Sequence, residues 1–426
     1  MSIGLSRRSA LGQLAVGSLA ACSATGGAGP VRFWAMGREG EVVQTLMPGF
    51  ARAHPDTSVA VQQLPWSAAH AKLLTAFAGG DLPDLCQMGN TWIAEFCALG
   101  ALQRLDGAVA ASPVVRPADG FEGIWRTNSI GGGLYGIPWY VDTRLLFYRR
   151  DLLDKAGHGS PPTTWEGWLE AMTAIKALVG AGAYAALLPL NEPEPLLTLA
   201  LQQGEPLLRE GGGRGNFQSA GFRKALAFYA KIFARQLAPA ASDTEIGNLY
   251  DEFARGYFSF YVSGPWNLGE FRRRLGPARQ DLWMTAAMPG PDGPGASLAG
   301  GASLVVFAGS RRRDAAWRLI EYLSTLQSQS RFYALTGDLP ARRDAWTSRG
   351  LADDPKAAAF RDQLTRVKPT PQVPEWEAIA IEMQLVAEQM IRGRLGVDAA
   401  TAEMDRRADA LLAKRRWMMA RQRSLS

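Results

Sequence analysis

The chain has 426 residues, a net charge of +6 and 47% apolar side chains. At roughly 100–200 residues per domain, this length predicts two or three globular domains with an ample core, and so mild a charge argues against nucleic acid as a partner. Its three histidines, His54, His70 and His158, are scattered without metal-ligand spacing, so no structural metal and no cofactor is predicted.

Arg7 and Arg8 precede an apolar run from Ala10 to Ala21. That run is too short to span a bilayer, which takes roughly 20 residues. A charged front, an apolar middle and a small-residue end mark 1–21 as an export signal. Ser6-Arg7-Arg8 resembles a twin-arginine signal, with Ala10 where a large apolar residue is usual. Leu19-Ala20-Ala21-Cys22 resembles a lipobox, cut before Cys22, which then carries acyl chains; a chance cysteine behind an ordinary export signal is the alternative. Either way the chain leaves the cytoplasm, and chemistry based on cytosolic ATP or nicotinamide cofactors is excluded. The expected location is the periplasmic side of a bacterial envelope, with 22–30 as a flexible glycine-rich tether.

Val31 to Trp34 reads as a first strand. Gly37-Arg38-Glu39-Gly40 opens a helix with Val42, Leu46 and Phe50 on one face, and Pro48 predicts a kink or an early end. Ser58 to Leu64 alternates as a strand, Ala68 to Ala78 is a helix closed by Gly79-Gly80, and Leu85 to Met88 is a short strand before a helix from Trp92 to Leu99. Alternating strands and helices predict an α/β class with parallel pairing. Tyr135 to Pro138 and Leu145 to Tyr148 form a strand pair or one long crossing strand, and Thr163 with Glu166 fits a capping box. Two or three helices lead into a strand, Tyr257 to Val262; further helices run from Asp314 to Leu326, Glu375 to Gly393 and Ala399 to Met419. Cys86 and Cys97 are read as buried free thiols, a disulfide being the alternative. Arg272-Arg273-Arg274 and Arg311-Arg312-Arg313 are read as solvated helix ends.

Several blocks stand in an order that resembles one known family over nearly the whole mature length. They are Ala78 to Leu85, Thr91 to Phe96, Leu99 to Leu102, Tyr135 to Pro138, Asp151-Leu152-Leu153, Ser263-Gly264-Pro265-Trp266, Gly300 to Leu304 and Thr336 to Pro340. The chain resembles the extracellular solute-binding proteins of bacterial ABC importers, in the carbohydrate-binding branch of maltose- and trehalose-type binders. The resemblance implies two α/β lobes, a multi-strand hinge and a ligand cleft between them. Mapped here, the first lobe is 31–141 plus 288–326 and the second is 142–287 plus 327–426. It further implies a monomer that delivers a carbohydrate to permease subunits with a cytoplasmic ATPase.

A sugar offers hydroxyls and flat C–H faces, so its site needs short polar groups and aromatic rings. The 13 tryptophans exceed what packing alone asks for. Trp266, after Gly-Pro at a strand end, matches the family's stacking ring. Trp34 at the carboxyl edge of the first strand, Trp66 after the second strand, Tyr140, and Trp376 in the loop after Pro374 are further candidates, each balanced against core packing. Glu39 stands where a family carboxylate meets hydroxyls, or serves the helix dipole. Asp142 matches a hinge carboxylate and Glu194 a second-lobe ligand loop. Asn90 departs from the aspartate of several disaccharide binders; its amide both donates and accepts. Gly300 and Gly301 let backbone approach the ligand, or form a plain turn; Asp338 and Arg342 complete the set.

Gly131 to Gly136 matches a dinucleotide-binding spacing, but a strand with Pro138 follows where a helix is required, so it reads as a hairpin turn. Few basic groups, Arg38, Arg144 and Arg342, lie near the candidates, which favours a neutral ligand over a glycerophosphodiester. A polyol binder, a carbohydrate-active enzyme using Glu39 and Asp142, and a sensor subunit are the alternatives.

Overall fold

The structure is a computed structural model that describes residues 29–348 and 350–425. The export signal, the lipobox with Cys22 and most of the tether lie outside the described residues. Among the described residues no helix is long and apolar enough to cross a membrane.

Two sheets organise the chain. The first has six strands in the order Leu339–Pro340, Ile137–Asp142, Gly300–Val306, Leu85–Gly89, Val31–Met36, Val59–Leu64. The three N-terminal strands are parallel, and Gly300–Val306 runs antiparallel between Leu85–Gly89 and Ile137–Asp142. Alternation along the first strand sends Val31, Phe33 and Ala35 into one buried cluster and Trp34 and Met36 into another on the opposite face. The second sheet orders Trp283–Ala286, Leu145–Arg149, Phe260–Ser263, Ala186–Leu187. Its faces pack against Trp165, Trp168 and Phe222 on one side and Phe253, Phe271 and Phe360 on the other.

Ile137–Asp142 and Leu145–Arg149 belong to different sheets, separated by Thr143 and Arg144 alone. They are thus neither a pair nor one strand: the chain crosses between lobes there. It returns through Ser297–Leu298, which pairs in parallel with Val367–Lys368. Helix Leu326–Thr336 buries Phe332 against the first sheet, and Leu339–Pro340 pairs with that sheet. The chain leaves the first sheet for the last time after Pro340.

Local chemistry explains the other differences. The first helix is three segments, Gly37–Val42, a 3₁₀ turn Val43–Leu46, and Met47–Ala53. Pro48 lacks an N–H and sits in the first turn of the third segment, where that donor is not needed. The cap of helix Trp165–Val179 is Thr164, accepting from the Gly167 N–H at 3.0 Å, one residue past the predicted box. The C-terminal helix breaks at Leu412 into Val397–Leu411 and Ala413–Leu425. Gly131 and Gly132, at φ 58° and 79°, turn a short hairpin as expected. Cys86 is buried and Cys97 only partly so; both are free. Arg273 and Arg274 at the end of helix Trp266–Leu275 pair with Glu270, and Arg272 pairs with Asp354.

Candidate functional site

Between the sheets lies a cavity of about 600 Å³, within the usual range of ligand clefts. Eleven of the thirteen candidates line it: Glu39, Trp66, Asn90, Tyr140, Asp142, Glu194, Trp266, Gly300, Gly301, Asp338 and Trp376. A local rule places many of them. Pro65, Pro193 and Pro265 sit at the N-caps of helices beginning at Trp66, Glu194 and Trp266, with φ of −70°, −74° and −65°. Proline fixes that angle and gives up a donor the helix start does not use. The first side chain of each helix therefore points into the cleft beside a positive dipole end.

On the first-lobe wall, Gly37 at φ 53° turns the chain from strand into helix; a Cβ there would sit 2.7 Å from Trp66 Cδ1. Glu39 follows in the first turn. The Tyr140 hydroxyl donates to Glu39 Oε1 at 3.1 Å, Gln87 Nε2 donates to the Tyr140 oxygen at 3.0 Å, and the Met36 N–H donates to Gln87 Oε1 at 2.7 Å. The Trp66 indole N–H also donates to Glu39. Trp66 and Trp92 meet edge to face with centroids 5.6 Å apart. Asn90 accepts from Ser303 Oγ at 3.0 Å, while its buried Nδ2 has no partner.

At the hinge, Gly300 pairs with Asp142 and Gly301 with Val141. Gly301 has φ 119°, and a Cβ there would lie 2.3 Å from the Tyr140 carbonyl oxygen, so a side chain is barred twice over. Arg144 donates from Nη1 to Asp142 Oδ1 at 2.9 Å and from Nη2 to Glu194 Oε1 at 3.0 Å. Its guanidinium lies 4.6 Å from the centroid of the Trp266 ring. On the second lobe, Trp376 and Glu377 open helix Trp376–Ile391, and the Thr91 hydroxyl hydrogen-bonds Glu377 across the cleft.

Burial sets the electrostatics. It pushes the Glu39 carboxyl above its usual range, against the hydrogen bonds it accepts, with the Asp142 charge adding. Asp338 is pushed well up by burial and then by Glu39. Asp142 is raised by burial, with Arg144 opposing. Glu377 is raised by burial, the Thr91 hydrogen bond opposing. The cleft is thus an acceptor-rich surface in which Arg38, paired with Glu41 at 2.8 Å, and Arg144 are the lining cations.

Two candidates fall elsewhere. Trp34 is not at a strand end: the strand runs on to Met36, and the 4%-exposed ring packs among Leu73, Phe96 and Phe307. Arg342 turns away, bonding Asp344 at 2.6 Å and the Val114 carbonyl at 3.0 Å, and borders a separate small cavity with Trp125. Sequence reasoning did not assign Arg144, Trp92, Glu377 or Glu270 to the site, all of which line it. Arg144 lies two residues past Asp142, and Glu377 directly follows Trp376.

A model of the bacterial extracellular solute-binding protein family matches residues 36–330. The chain belongs to this family. The solute-binding protein is similar to the solved sugar-binding protein MalE of the phytopathogen Xanthomonas citri, with 53% identity, 92% of this chain and 99% of that one covered, and a TM-score of 0.88. It is 24% identical over 344 residues to the diacetylchitobiose binding protein DasA of Streptomyces coelicolor, covering 79% of this chain and 78% of DasA. It is 33% identical over 202 residues to an uncharacterized lipoprotein of Streptomyces antibioticus, covering 45% of this chain and 44% of that protein. Two lobes, three crossings and an interlobe cleft are the periplasmic-binding-protein fold. Members of the family bind solutes and are not enzymes, and the family's place is outside the cytoplasm.

Proposed function

We propose that this solute-binding protein captures a sugar or small oligosaccharide by closing its lobes and delivers it to an ABC import permease with its ATPase. The observation that carries this reading is the lining of the cleft: three indole rings, Trp66, Trp92 and Trp266, with the buried Trp376 in the wall, stand among the carboxylates Glu39, Asp142 and Glu194. Rings take C–H faces and carboxyl oxygens take hydroxyl donors. The names of MalE and DasA support the same class. The excess of carboxylates over cations disfavours a phosphodiester. Ligand bridging the lobes shifts an open–closed equilibrium by its preference for the closed form. We assign 31–142 with 300–340 to the first lobe, and the rest of the folded body to the second. Cys22 is the lipid attachment site, as the lipoprotein relative supports, and the sequence before it is a twin-arginine-like signal. The receptor acts as a monomer on the periplasmic side.

Thermal unfolding against maltose, trehalose, maltotriose, lactose, diacetylchitobiose, polyols and glycerophosphodiesters tests the reading. A ligand at 100 times its Kd adds about 2.7 kcal/mol. Stabilisation by a sugar recovered intact is the expected result. Stabilisation by a phosphodiester alone, or by no compound, overturns the carbohydrate reading.

A further inference from the structure

Arg144 joins side chains from both walls of the cleft. It occupies the two-residue crossing between the sheets, and its side chain is 10% exposed. Its guanidinium binds Asp142 at the end of a first-lobe strand and Glu194 at the start of a second-lobe helix, and it covers the Trp266 ring at the start of another. Its carbonyl accepts from Ser297 Oγ at 2.6 Å on the return crossing. Asp142, Glu194 and Trp266 all face the cavity. Burial works against the guanidinium's charge, yet Asp142 and Glu194 keep its pKa raised. A guanidinium is planar and permanently charged, with donors in a fixed fork, so it holds two carboxylates at a set angle.

We infer that Arg144 is the positioning residue that sets the ligand preference of the cleft. Each carboxylate places one oxygen on Arg144, Asp142 Oδ1 and Glu194 Oε1, and offers its other oxygen as an acceptor. One face of Trp266 is packed by the guanidinium, and the exposed part of the ring is left for an apolar ligand face. The ligand that fits is an uncharged polyhydroxyl compound that donates two hydroxyls to fixed carboxylate oxygens and lays a C–H face on the indole. An anion meets carboxylates and a cation already neutralised. This assignment rests on the carbohydrate reading above and adds to it the residue through which three ligand-facing side chains are oriented.

The test is isothermal titration of the full chain with the sugars of that panel, for wild type, Arg144→Lys, Arg144→Met, the double variant Asp142→Asn/Glu194→Gln, and the triple variant combining it with Arg144→Met. Arg144→Met is expected to weaken sugar binding about tenfold or more, because two charge-assisted hydrogen bonds lose their organiser. Arg144→Lys, a point charge without the fork, recovers only part of that loss. In the Asp142→Asn/Glu194→Gln background, Arg144→Met is expected to cost less than about threefold, since residues acting through one another are not additive. A purely structural role predicts the same loss in both backgrounds, and that result overturns the inference. Wild-type affinity in Arg144→Lys also overturns it, and that variant keeps the buried charge should Arg144→Met fail to fold. If wild type itself binds no sugar of the panel, the carbohydrate reading falls first and the inference with it.

Discussion

Glu192 offers a direct measurement of the electrostatics behind the cleft. It sits partly buried in the turn before helix Glu194–Leu201, close to Glu194, Arg144 and Asp243. Burial, then the charge of Glu194, pushes its carboxyl from 4.5 up to about 7, with Arg144 opposing. A folded-state pKa above the unfolded one means that the folded chain holds the proton more tightly. Stability is then full below about pH 4.5 and is lost as pH rises through 7. At 1.36 kcal/mol per pH unit, the loss reaches up to about 3 kcal/mol by pH 9. Glu192→Gln fixes the neutral form. In ligand-free urea unfolding followed by tryptophan fluorescence, the variant should exceed wild type by less than about 1 kcal/mol at pH 5 and by up to about 3 kcal/mol at pH 9. Glu39, Asp142 and Asp338 shift in the same direction. Both proteins therefore slope downward with pH, and the difference between them isolates Glu192. An offset equal at pH 5 and pH 9, or a variant weaker at pH 9, would refute the reasoning.

Three further outcomes follow from the geometry. Trp266→Ala, at a ring 36% exposed, should weaken sugar binding by about 1–3 kcal/mol and cost the ligand-free protein about 0.5–1 kcal/mol for the lost Arg144 contact, as titration and calorimetry will show. Gly264→Ala places a Cβ 1.9 Å from Trp266 Cζ3; the ring must move, and affinity should fall about tenfold with a shifted tryptophan emission. Trp34→Ala should cost about 3–5 kcal/mol of stability and leave the Kd for sugar unchanged, because the ring is core and not cleft; a selective loss of affinity would return Trp34 to the site.

The lobes were legible because their strands obey simple periods. Val31 to Met36 alternates between two clusters, and the glycine pairs at 79–80 and 131–132 mark a helix end and a hairpin. Where the first strand stops was not legible, since Ala35 and Met36 are as apolar as what precedes them; that two-residue extension is what moves Trp34 from the edge to the interior. Arg342 failed for another reason. Asp119, more than two hundred residues away in sequence, and the nearby Asp344 claim its guanidinium. Trp66, Trp266 and Glu194 share a readable signal, a proline directly before a helix. Arg144 carries no such mark, because its importance comes from partners brought together only by the crossing of the two sheets.

The place of Gly300–Val306 in the first sheet bears on how the chain is made. This strand lies between Leu85–Gly89 and Ile137–Asp142, yet it is synthesised more than 150 residues after its neighbour. At 5–20 residues per second, roughly ten to thirty seconds pass while those two strands wait with open edges. The first lobe therefore cannot finish folding until its last strands, Gly300–Val306 and Leu339–Pro340, have been made, and its completion depends on pairings between distant parts of the chain, which are the slow ones. Until then the unpaired edges are open to wrong partners, so the risk of misassembly falls on the N-terminal third of the chain even though its final structure is the more regular of the two lobes.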